Sequence, residues 1–340
     1  MELHSLAMFT FGVVENGQGF DPLVLLLLAL ALDAYIGDAQ FIFRFVKHPV
    51  EVFGAVVGFL DRKLNREKRS EMVRAVRGVL TTTVVVVLAL AAGSAVAWLS
   101  LNHPWGWIVE LFLVTALLAG RSLYDHVSSV AGGLEQSLEE GRNAVLHIVG
   151  RDPTQLDAHG VARAAIESAA ENLCDGVVAP VFWYLLFGFP GLLVYKAVNT
   201  MDSMIGHRSA RYRAFGLTAA RLDDILNLIP ARLTGLFFVF AAIFVPTAHP
   251  GKALKTMLRD ASKHRSMNAG WPEAAMAGAL ALALAGPIRY AGQVVDNAWI
   301  GDGTAKATVT DIRRALYLYA VTALINAMWV CSIAVIRFNL

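Results

Sequence analysis

The chain has 340 residues, of which 56% are hydrophobic and 16% are charged, and its mean hydropathy is +0.53. This balance is too apolar for a soluble protein of this size and too charged for membrane spans alone, so it indicates a polytopic membrane protein with polar loops. A net charge of +2, without a zinc-finger or RNA-recognition pattern, argues against a nucleic-acid partner. The two cysteines, Cys174 and Cys331, exclude a disulfide framework and a CxxC metal site.

Several apolar runs predict membrane segments. Residues 22–36 form a short run, and residues 106–120 are a further candidate. Residues 81–101 and 315–335 have a comfortable length for a hydrocarbon core of about 30 Å. Glu110 lies inside one of these runs and must face the interior of the bundle, because a carboxylate facing lipid is costly.

The distribution of basic residues predicts the orientation. Residues 38–78 hold nine of the 29 Lys and Arg residues, whereas residues 1–21 hold none. The positive-inside rule therefore places residues 38–78 in the cytoplasm and the N-terminus outside. Because the N-terminus lacks the basic region of a cleaved signal peptide, the first apolar run is expected to stay as an anchor.

By alternation, residues 121–176 return to the cytoplasm as a helical segment. Asp152 followed by Pro153 predicts a helix start, and Asp157 predicts the cap of the helix after it. The following apolar run, residues 177–198, is interrupted in its middle at positions 188–191 by the letters GFPG.

Each half of that interrupted run is too short to cross a membrane, so it predicts a re-entrant hairpin, which returns residues 199–228 to the cytoplasm. Residues 233–245 and 274–285 are short apolar runs as well, and one or both are expected not to cross. The fold class predicted is all-α, a single polytopic integral membrane domain over residues 1–340.

A charged stripe precedes the interrupted run. Arg163, Glu167, Glu171 and Asp175 fall four residues apart and share one helix face, although like charges at this spacing are mildly destabilising. A polar cluster at a membrane boundary suggests a functional site, and Asn172 lies beside it. The alternative is that Arg163 pairs with Glu167 and the remaining residues form a solvated face.

Further charged groups lie at later boundaries. Asp202, Asp223 and Asp224 can be ordinary helix caps or can hold Mg²⁺, a hard cation that favours one or two carboxylates together with phosphate oxygens. Cations recur on one face of a helix expected over residues 251–266, at Lys252, Lys255, Arg259 and Lys263. This basic stripe can face lipid headgroups or bind phosphate. His264 and His48 are more often structural than catalytic.

Several stretches form a recognisable series along the chain: GRD at 150–152, ESAAENLCDG at 167–176 with AP at 179–180, YKAVNTMDSMIG at 195–206, ARLDD at 220–224, NAGWPEAAMAGAL at 268–280 and WIGDG at 299–303, together with Asp33, GD at 37–38 and HPV at 48–50. Taken together, they resemble the CobD/CbiB family of adenosylcobinamide-phosphate synthases. Ala39 and Met267 stand where the family pattern has proline, which affects turns more than chemistry.

The resemblance implies an enzyme of the inner membrane that joins adenosylcobyric acid to aminopropanol or aminopropanol phosphate through an amide bond, at the expense of ATP and with Mg²⁺. The carboxylate of adenosylcobyric acid would be converted by ATP to an acyl phosphate, which the amine then attacks. Such chemistry needs carboxylates for the metal, cations for phosphate and a base for the amine. A cavity lined by Phe182, Trp183 and Tyr184 is expected to take the corrinoid.

On this reading, one site faces the cytoplasm. The expected catalytic residues are Glu167, Glu171, Asp175 and Lys196, and the expected metal ligands are Asp202, Asp223 and Asp224. Substrate binding is assigned to Arg151, Arg163, Asn172, Asn199, Arg221, Arg259, Lys263, His264, Asn268 and Glu273.

The alternative is a non-enzymatic membrane protein, either a transporter with its substrate site at the broken apolar run or a sensor of the AmpE type. No inverted repeat is visible, and the density of charge in the loops favours an enzyme. The expected partners are the corrinoid, the amine and membrane lipid, with other late cobalamin-pathway membrane enzymes and a second copy of the chain as further candidates.

Overall fold

A computed structural model describes residues 20–37, 47–150, 152–290, 293–295 and 297–339. They form an all-α polytopic membrane protein, as predicted, with two short strand pairs as the β-structure of the described part. By their contacts these residues divide into two compact units, each assembled from separate stretches of chain. The assignment of residues 1–340 to a single domain stays a prediction.

The first unit contains the described residues up to Leu118, the stretch Ala179–Asn227 and the residues from Val330 onward. Its helices are α1 (Pro22–Ile36), α2 (Pro49–Leu64), α3 (Glu71–Asn102), α4 (Gly106–Leu117), α8 (Ala179–Ile205), α9 (Leu217–Leu226) and the end of α13 (Val309–Asn339). The long helix α3 packs against α8. A Cβ added to Gly93 would lie only 2.7 Å from the Cα of Pro190, so the two backbones are in direct contact.

The second unit contains Ala119–Val178 and Leu228–Trp329. Its elements are α5 (Gly120–Gln136), α6 (Leu138–Val145), α7 (Ala158–Leu173), a π-helical turn (Cys174–Val178), α10 (Leu228–Phe244), α11 (Pro250–Asp260), a 3-10 turn (Ala261–Lys263), α12 (Gly270–Leu280), β1 (Leu284–Ala285), β2 (Ile288–Tyr290), β3 (Gln293–Val295), β4 (Trp299–Ile300) and most of α13. Strand β1 pairs with β4, and β2 pairs with β3, both antiparallel. Helix α12 is almost wholly buried because it packs against both α10 and α11.

Four helical stretches of the described chain are long and apolar enough to cross a membrane: Glu71–Asn102, Gly106–Gln136, Ala158–Ile205 and Val309–Asn339. Helices α9 and α10 add a fifth if they count together as one span. The runs at 81–101 and 315–335 are therefore confirmed as membrane-length helices. Glu110 is 6% exposed, and Tyr184 donates a hydrogen bond of 2.7 Å to its Oε1, so its predicted inward orientation is confirmed.

The interrupted run has a kink at Gly188, which has a φ of 65° that glycine adopts without strain. A Cβ on Gly191 would lie 2.5 Å from the carbonyl oxygen of Trp183. Eight residues of straight helix would separate these positions by about 12 Å, so the run is not one straight rod. The stretch Ala158–Ile205 nevertheless qualifies as a span by length and composition. The re-entrant hairpin stays a prediction.

Two other sequence predictions meet a clear outcome. The helix start at Asp152 is wrong: the Asp152 carboxylate accepts the N–H of Thr154 in a local turn, and the helix begins after Asp157, whose side chain accepts the N–H of Gly160 at 2.7 Å. The run at 274–285 does not form a helix of membrane-spanning length, which agrees with the prediction. Helix α12 has 11 residues and ends at Leu280, so it is about 17 Å long.

Candidate functional site

In the first unit, three predicted metal ligands lie on α8 and α9 and form what we call the aspartate cluster: Asp202, Asp223 and Asp224. Asp223 is held by two amides. Asn199 donates to its Oδ1 at 3.3 Å and Asn227 donates to its Oδ2 at 3.0 Å. The Asn227 amide oxygen in turn accepts a hydrogen bond from the Tyr195 hydroxyl at 3.0 Å. These contacts fix the Asp223 carboxylate between the two helices.

Asp202 lies close enough to Asp223 and Asp224 for their charges to interact unfavourably. Asp224 is paired with Arg221 at 3.3 Å. The backbone of Gly206 lies directly against the Asp202 side chain, since a Cβ added to Gly206 would overlap Asp202 Oδ1. Crowded carboxylates with amide neighbours are hard oxygen donors, which suits Mg²⁺ when substrate phosphate completes the coordination.

Within the described residues, no group of three His, Cys, Asp or Glu side chains has the arrangement to hold a metal by itself. Binding of Mg²⁺ by the aspartate cluster, with phosphate oxygens completing the coordination, stays a prediction. Lys196, one turn before Asn199 on α8, is 9% exposed and buried within the same unit.

In the second unit, the carboxylate stripe does not run straight. Helix α7 ends at Leu173 and passes into the π-helical turn, so Asp175 leaves the regular i,i+4 row, a disruption of a type often found at functional sites. Glu167 is half-buried and accepts the N–H of Ala285 in β1 at 2.8 Å. Glu171 is exposed and Asp175 is half-buried.

Two predicted substrate-binding residues of this region have structural contacts. Arg163 donates to the carbonyl oxygen of Ala305, and its guanidinium lies 5.4 Å from the ring centroid of Trp299. Asn172 donates to the backbone oxygen of Ser168 at 2.9 Å and to its hydroxyl at 2.8 Å. Arg163 therefore joins α7 to the segment after β4, and Asn172 is tied to its own helix.

His264 and Glu273 form a partly buried pair. His264 Nε2 lies 3.7 Å from Glu273 Oε1, and Glu273 is 3% exposed. The backbone N–H of Ser266 donates to His264 Nδ1 at 3.0 Å. Burial lowers the pKa of the His264 imidazole, since the charged form loses hydration. The imidazole is accordingly biased toward its neutral form beside a buried carboxylate.

The predicted basic stripe is anchored by a residue that the sequence did not single out. Asp260 is fully buried and accepts hydrogen bonds from Arg259 at 2.6 and 2.8 Å and from the Gly301 N–H at 2.9 Å, while Lys263 Nζ lies 2.7 Å from its Oδ1. Arg259 also pairs with the exposed Asp302 at 3.0 Å. The two predicted phosphate-binding cations thus share one buried carboxylate.

A second residue missed from the sequence is Arg232 on α10. It donates to Asn268 Oδ1 at 2.6 Å, and its guanidinium stacks 4.6 Å from the ring centroid of Trp271. An arginine within an apolar run signals an interior polar contact, but its partner lies 36 residues away. Asn268 therefore has a structural partner in addition to its predicted role.

Two other predictions are affected by the structure. Tyr184 is fully buried and bonded to Glu110, so it cannot line an open corrinoid cavity as predicted. Trp183, half-buried, donates to the carbonyl oxygen of Leu226 at 3.1 Å. Arg151 lies outside the described residues. The remaining predicted site residues fall into the two groups described above, one in each unit, and their union in one site stays a prediction.

Comparison with known proteins places these residues in context. A family model described as CobD/Cbib protein matches residues 26–319. The chain is 48% identical over 318 residues to a protein of a Sinorhizobium species named cobalamin biosynthesis protein CobD, covering 92% of this chain and 98% of that one. Proteins of the same name from Brucella anthropi and Rhodobacter capsulatus are each 46% identical, with 87% of this chain and 92% of each relative covered. No solved structure matches.

Proposed function

Because the chain belongs to the CobD/CbiB family, we propose that it acts in cobalamin biosynthesis and joins adenosylcobyric acid to aminopropanol or aminopropanol phosphate through an amide bond, using ATP. The observation that carries the proposal is the family match over residues 26–319, which includes every polar cluster described above. The chemistry of those clusters supports an ATP-dependent ligation.

In this reaction, a carboxylate oxygen of the corrinoid acid attacks the terminal phosphorus of ATP, giving an acyl phosphate and ADP. The neutral amine then attacks the acyl carbon, the bond to the phosphate oxygen breaks, and inorganic phosphate leaves. The amine must lose a proton, so the site needs a base near the acyl carbon. It also needs positive charge to hold the phosphate groups.

The groups of side chains in the two units supply a candidate for each of these roles. Asp202 and Asp223 would hold Mg²⁺, which neutralises phosphate charge when bound. Lys196 would bind phosphate oxygens. Glu171, exposed at the last turn of α7, would take the amine proton, and Glu167 is already oriented by the N–H of Ala285.

Arg259 and Lys263 are the cations proposed to contact substrate phosphate or carboxylate. Their exposed fractions of 38% and 44% leave donors accessible even though Asp260 binds both. Asp260 lowers their combined charge and fixes their position, which favours recognition by directed hydrogen bonds over general electrostatic attraction.

The function is tested with purified protein in lipid nanodiscs supplied with adenosylcobyric acid, each amine in turn, ATP and saturating Mg²⁺. We expect amide product and ADP only when acid and amine are both present, and Glu171→Gln should reduce turnover by about 100-fold or more. Glu139→Gln, an exposed carboxylate on α6, is the control. Unchanged amidation by Glu171→Gln would remove Glu171 from the site, and corrinoid binding without ATP consumption would support a transporter or sensor instead.

We propose that the site faces the cytoplasm at the inner membrane; the basic residues of the 38–78 segment and the kink at Gly188 support this orientation. A reporter enzyme fused after Gly206 should then be active in the cytoplasm. Activity of a periplasmic reporter at this position would contradict the re-entrant topology. Association with other membrane enzymes of the pathway and with a second copy remain predictions.

A further inference from the structure

The loop over residues 206–216 connects α8 to α9 and therefore connects Asp202 to Asp223. Its two ends meet, because a Cβ on Gly216 would overlap the carbonyl oxygen of Ile205. A loop with touching ends is compact, and its conformation sets where the second helix starts relative to the first. An interaction that fixes the conformation of this loop therefore also fixes the positions of Asp202 and Asp223 relative to each other.

Four side chains of the first unit form a polar network at the middle of the loop, and we call them the Asp61 clamp: Asp61 of α2, Asn65 directly after α2, Arg74 of α3 and Arg211 of the loop itself. Asp61 is 7% exposed. Its Oδ2 accepts from Arg211 at 2.8 Å, and its Oδ1 accepts from Asn65 at 2.8 Å. Asn65 Oδ1 accepts from Arg74 Nε at 2.9 Å.

The Asp61 clamp also forms hydrogen bonds to the loop backbone. Arg74 Nη2 donates to the carbonyl oxygens of Ala210 and Arg211, and Asn65 Nδ2 donates to that of Arg211 at 3.2 Å. Tyr212 adds its hydroxyl, 3.4 Å from Asp61 Oδ2. The positions of backbone carbonyl oxygens depend on the path of the chain and not on the identity of its side chains. Hydrogen bonds to these oxygens therefore favour one loop conformation.

A second ion pair on the same loop has a different character. Arg213 pairs with Glu71 at 2.9 Å, but these side chains are 68% and 70% exposed. Solvent screens such a pair and leaves it little energetic effect, whereas breaking a buried network leaves polar groups without partners. Of these two polar contacts, the Asp61 clamp is therefore the one that can hold the loop firmly.

We propose that Asp61, Asn65 and Arg74 are positioning residues, which hold the 206–216 loop and through it the relative positions of Asp202 and Asp223, the pair proposed to hold a divalent cation. This inference rests on the proposed function for its metal and for its biological use. It assigns a role in the reaction to the α2–α3 hairpin, which contributes none of the predicted site residues.

The test uses full-length protein in nanodiscs, with Mn²⁺ alone as the probe and its binding followed by electron paramagnetic resonance. Without substrate phosphate, water fills the coordination positions that the carboxylates leave open. Asp223→Asn identifies the signal from the aspartate cluster by abolishing it. Asp61→Asn should weaken Mn²⁺ binding about tenfold or more, because a charge-assisted hydrogen bond is lost. Arg211→Lys, a milder change that keeps the charge, should weaken it about threefold. Glu71→Gln, which removes the exposed partner of Arg213 on the same loop, is the matched control and should change nothing.

Hydrogen exchange of residues 206–216 is measured on the same samples and should accelerate in Asp61→Asn and Arg211→Lys but not in Glu71→Gln. Accelerated exchange with unchanged Mn²⁺ affinity would show that the clamp is only structural and overturn the proposal. Unchanged exchange, or no Mn²⁺ binding by the parent protein, would overturn it as well. If the parent protein fails to form amide while the Mn²⁺ and exchange results are as expected, the positioning role stands and the proposed function falls.

Discussion

Replacing Gly78 by Ala is expected to destabilise the first unit by about 3 kcal/mol or more, at or beyond the upper end of typical overpacking costs. Gly78 lies on α3 beneath the end of the 206–216 loop, and a Cβ there would overlap the carbonyl oxygen of Phe215. The overlap is with backbone at the end of a tightly held loop, so it cannot be relieved by rotating a side chain. The loop or the helix has to move.

The measurement is reversible unfolding in mixed detergent micelles. Gly132→Ala is the control, because Gly132 is also helical and a Cβ there would meet nothing within 4 Å. Its substitution should stabilise the protein by up to about 1 kcal/mol through helix propensity. Equal stability of the two variants would contradict the close packing of α3 against the loop.

Replacing Asp260 by Ala should cost about 2–4 kcal/mol and impair substrate binding as well. Asp260 is fully buried and binds Arg259, Lys263 and the N–H of Gly301. Its removal leaves that N–H without its partner and frees the two cations, which can reach water because both are partly exposed. The segment after β4 also loses its tie to the end of α11.

The control for Asp260 is Asp302→Asn. Asp302 pairs with the same Arg259 at 3.0 Å but is 71% exposed, so its loss should change the free energy of unfolding far less than the loss of Asp260. Unfolding free energies of the two variants, measured side by side, check the difference. Similar losses would mean that burial does not strengthen the Asp260 contacts.

The stability that Asp260 supplies should also depend on pH. Hydrogen bonds, chiefly from Arg259, hold the pKa of the Asp260 carboxyl well below its usual value. The contribution is therefore fully present at neutral pH and is lost as the pH falls below about 4, toward the lower folded-state pKa. Asp260→Asn should remove this part of the acid sensitivity.

The sequence by itself determined the membrane class, the apolar helices at 81–101 and 315–335 that are long enough to cross, and the break at Gly188. These features depend on local properties, namely runs of apolar residues and a glycine and proline within a few positions of each other. Helix α1 occupies residues 22–36 as the apolar run predicts. Glu110 could be oriented from sequence alone, because the cost of a carboxylate in lipid allows only one solution.

The motifs of the sequence also predicted the family, which the comparison over residues 26–319 confirms. They did not predict how each candidate residue is held. Asp152 followed by proline is a valid signal for a helix start. Its carboxylate instead accepts the N–H of Thr154 in a local turn, and the helix begins after Asp157. Local signals compete at such a position, and only the packing of the following segment decides between them.

Only the tertiary structure decided the polar partnerships. Asp61 and Arg211 are 150 residues apart, Arg163 and Ala305 are 142 apart, and no local pattern links either pair. Asp260 reads as one more charge at the end of a basic helix until the fold brings the Gly301 N–H to it. A buried charge needs specific partners, whereas an apolar run needs only an apolar surrounding. The sequence therefore determines the membrane helices, and the folded chain determines which charges meet.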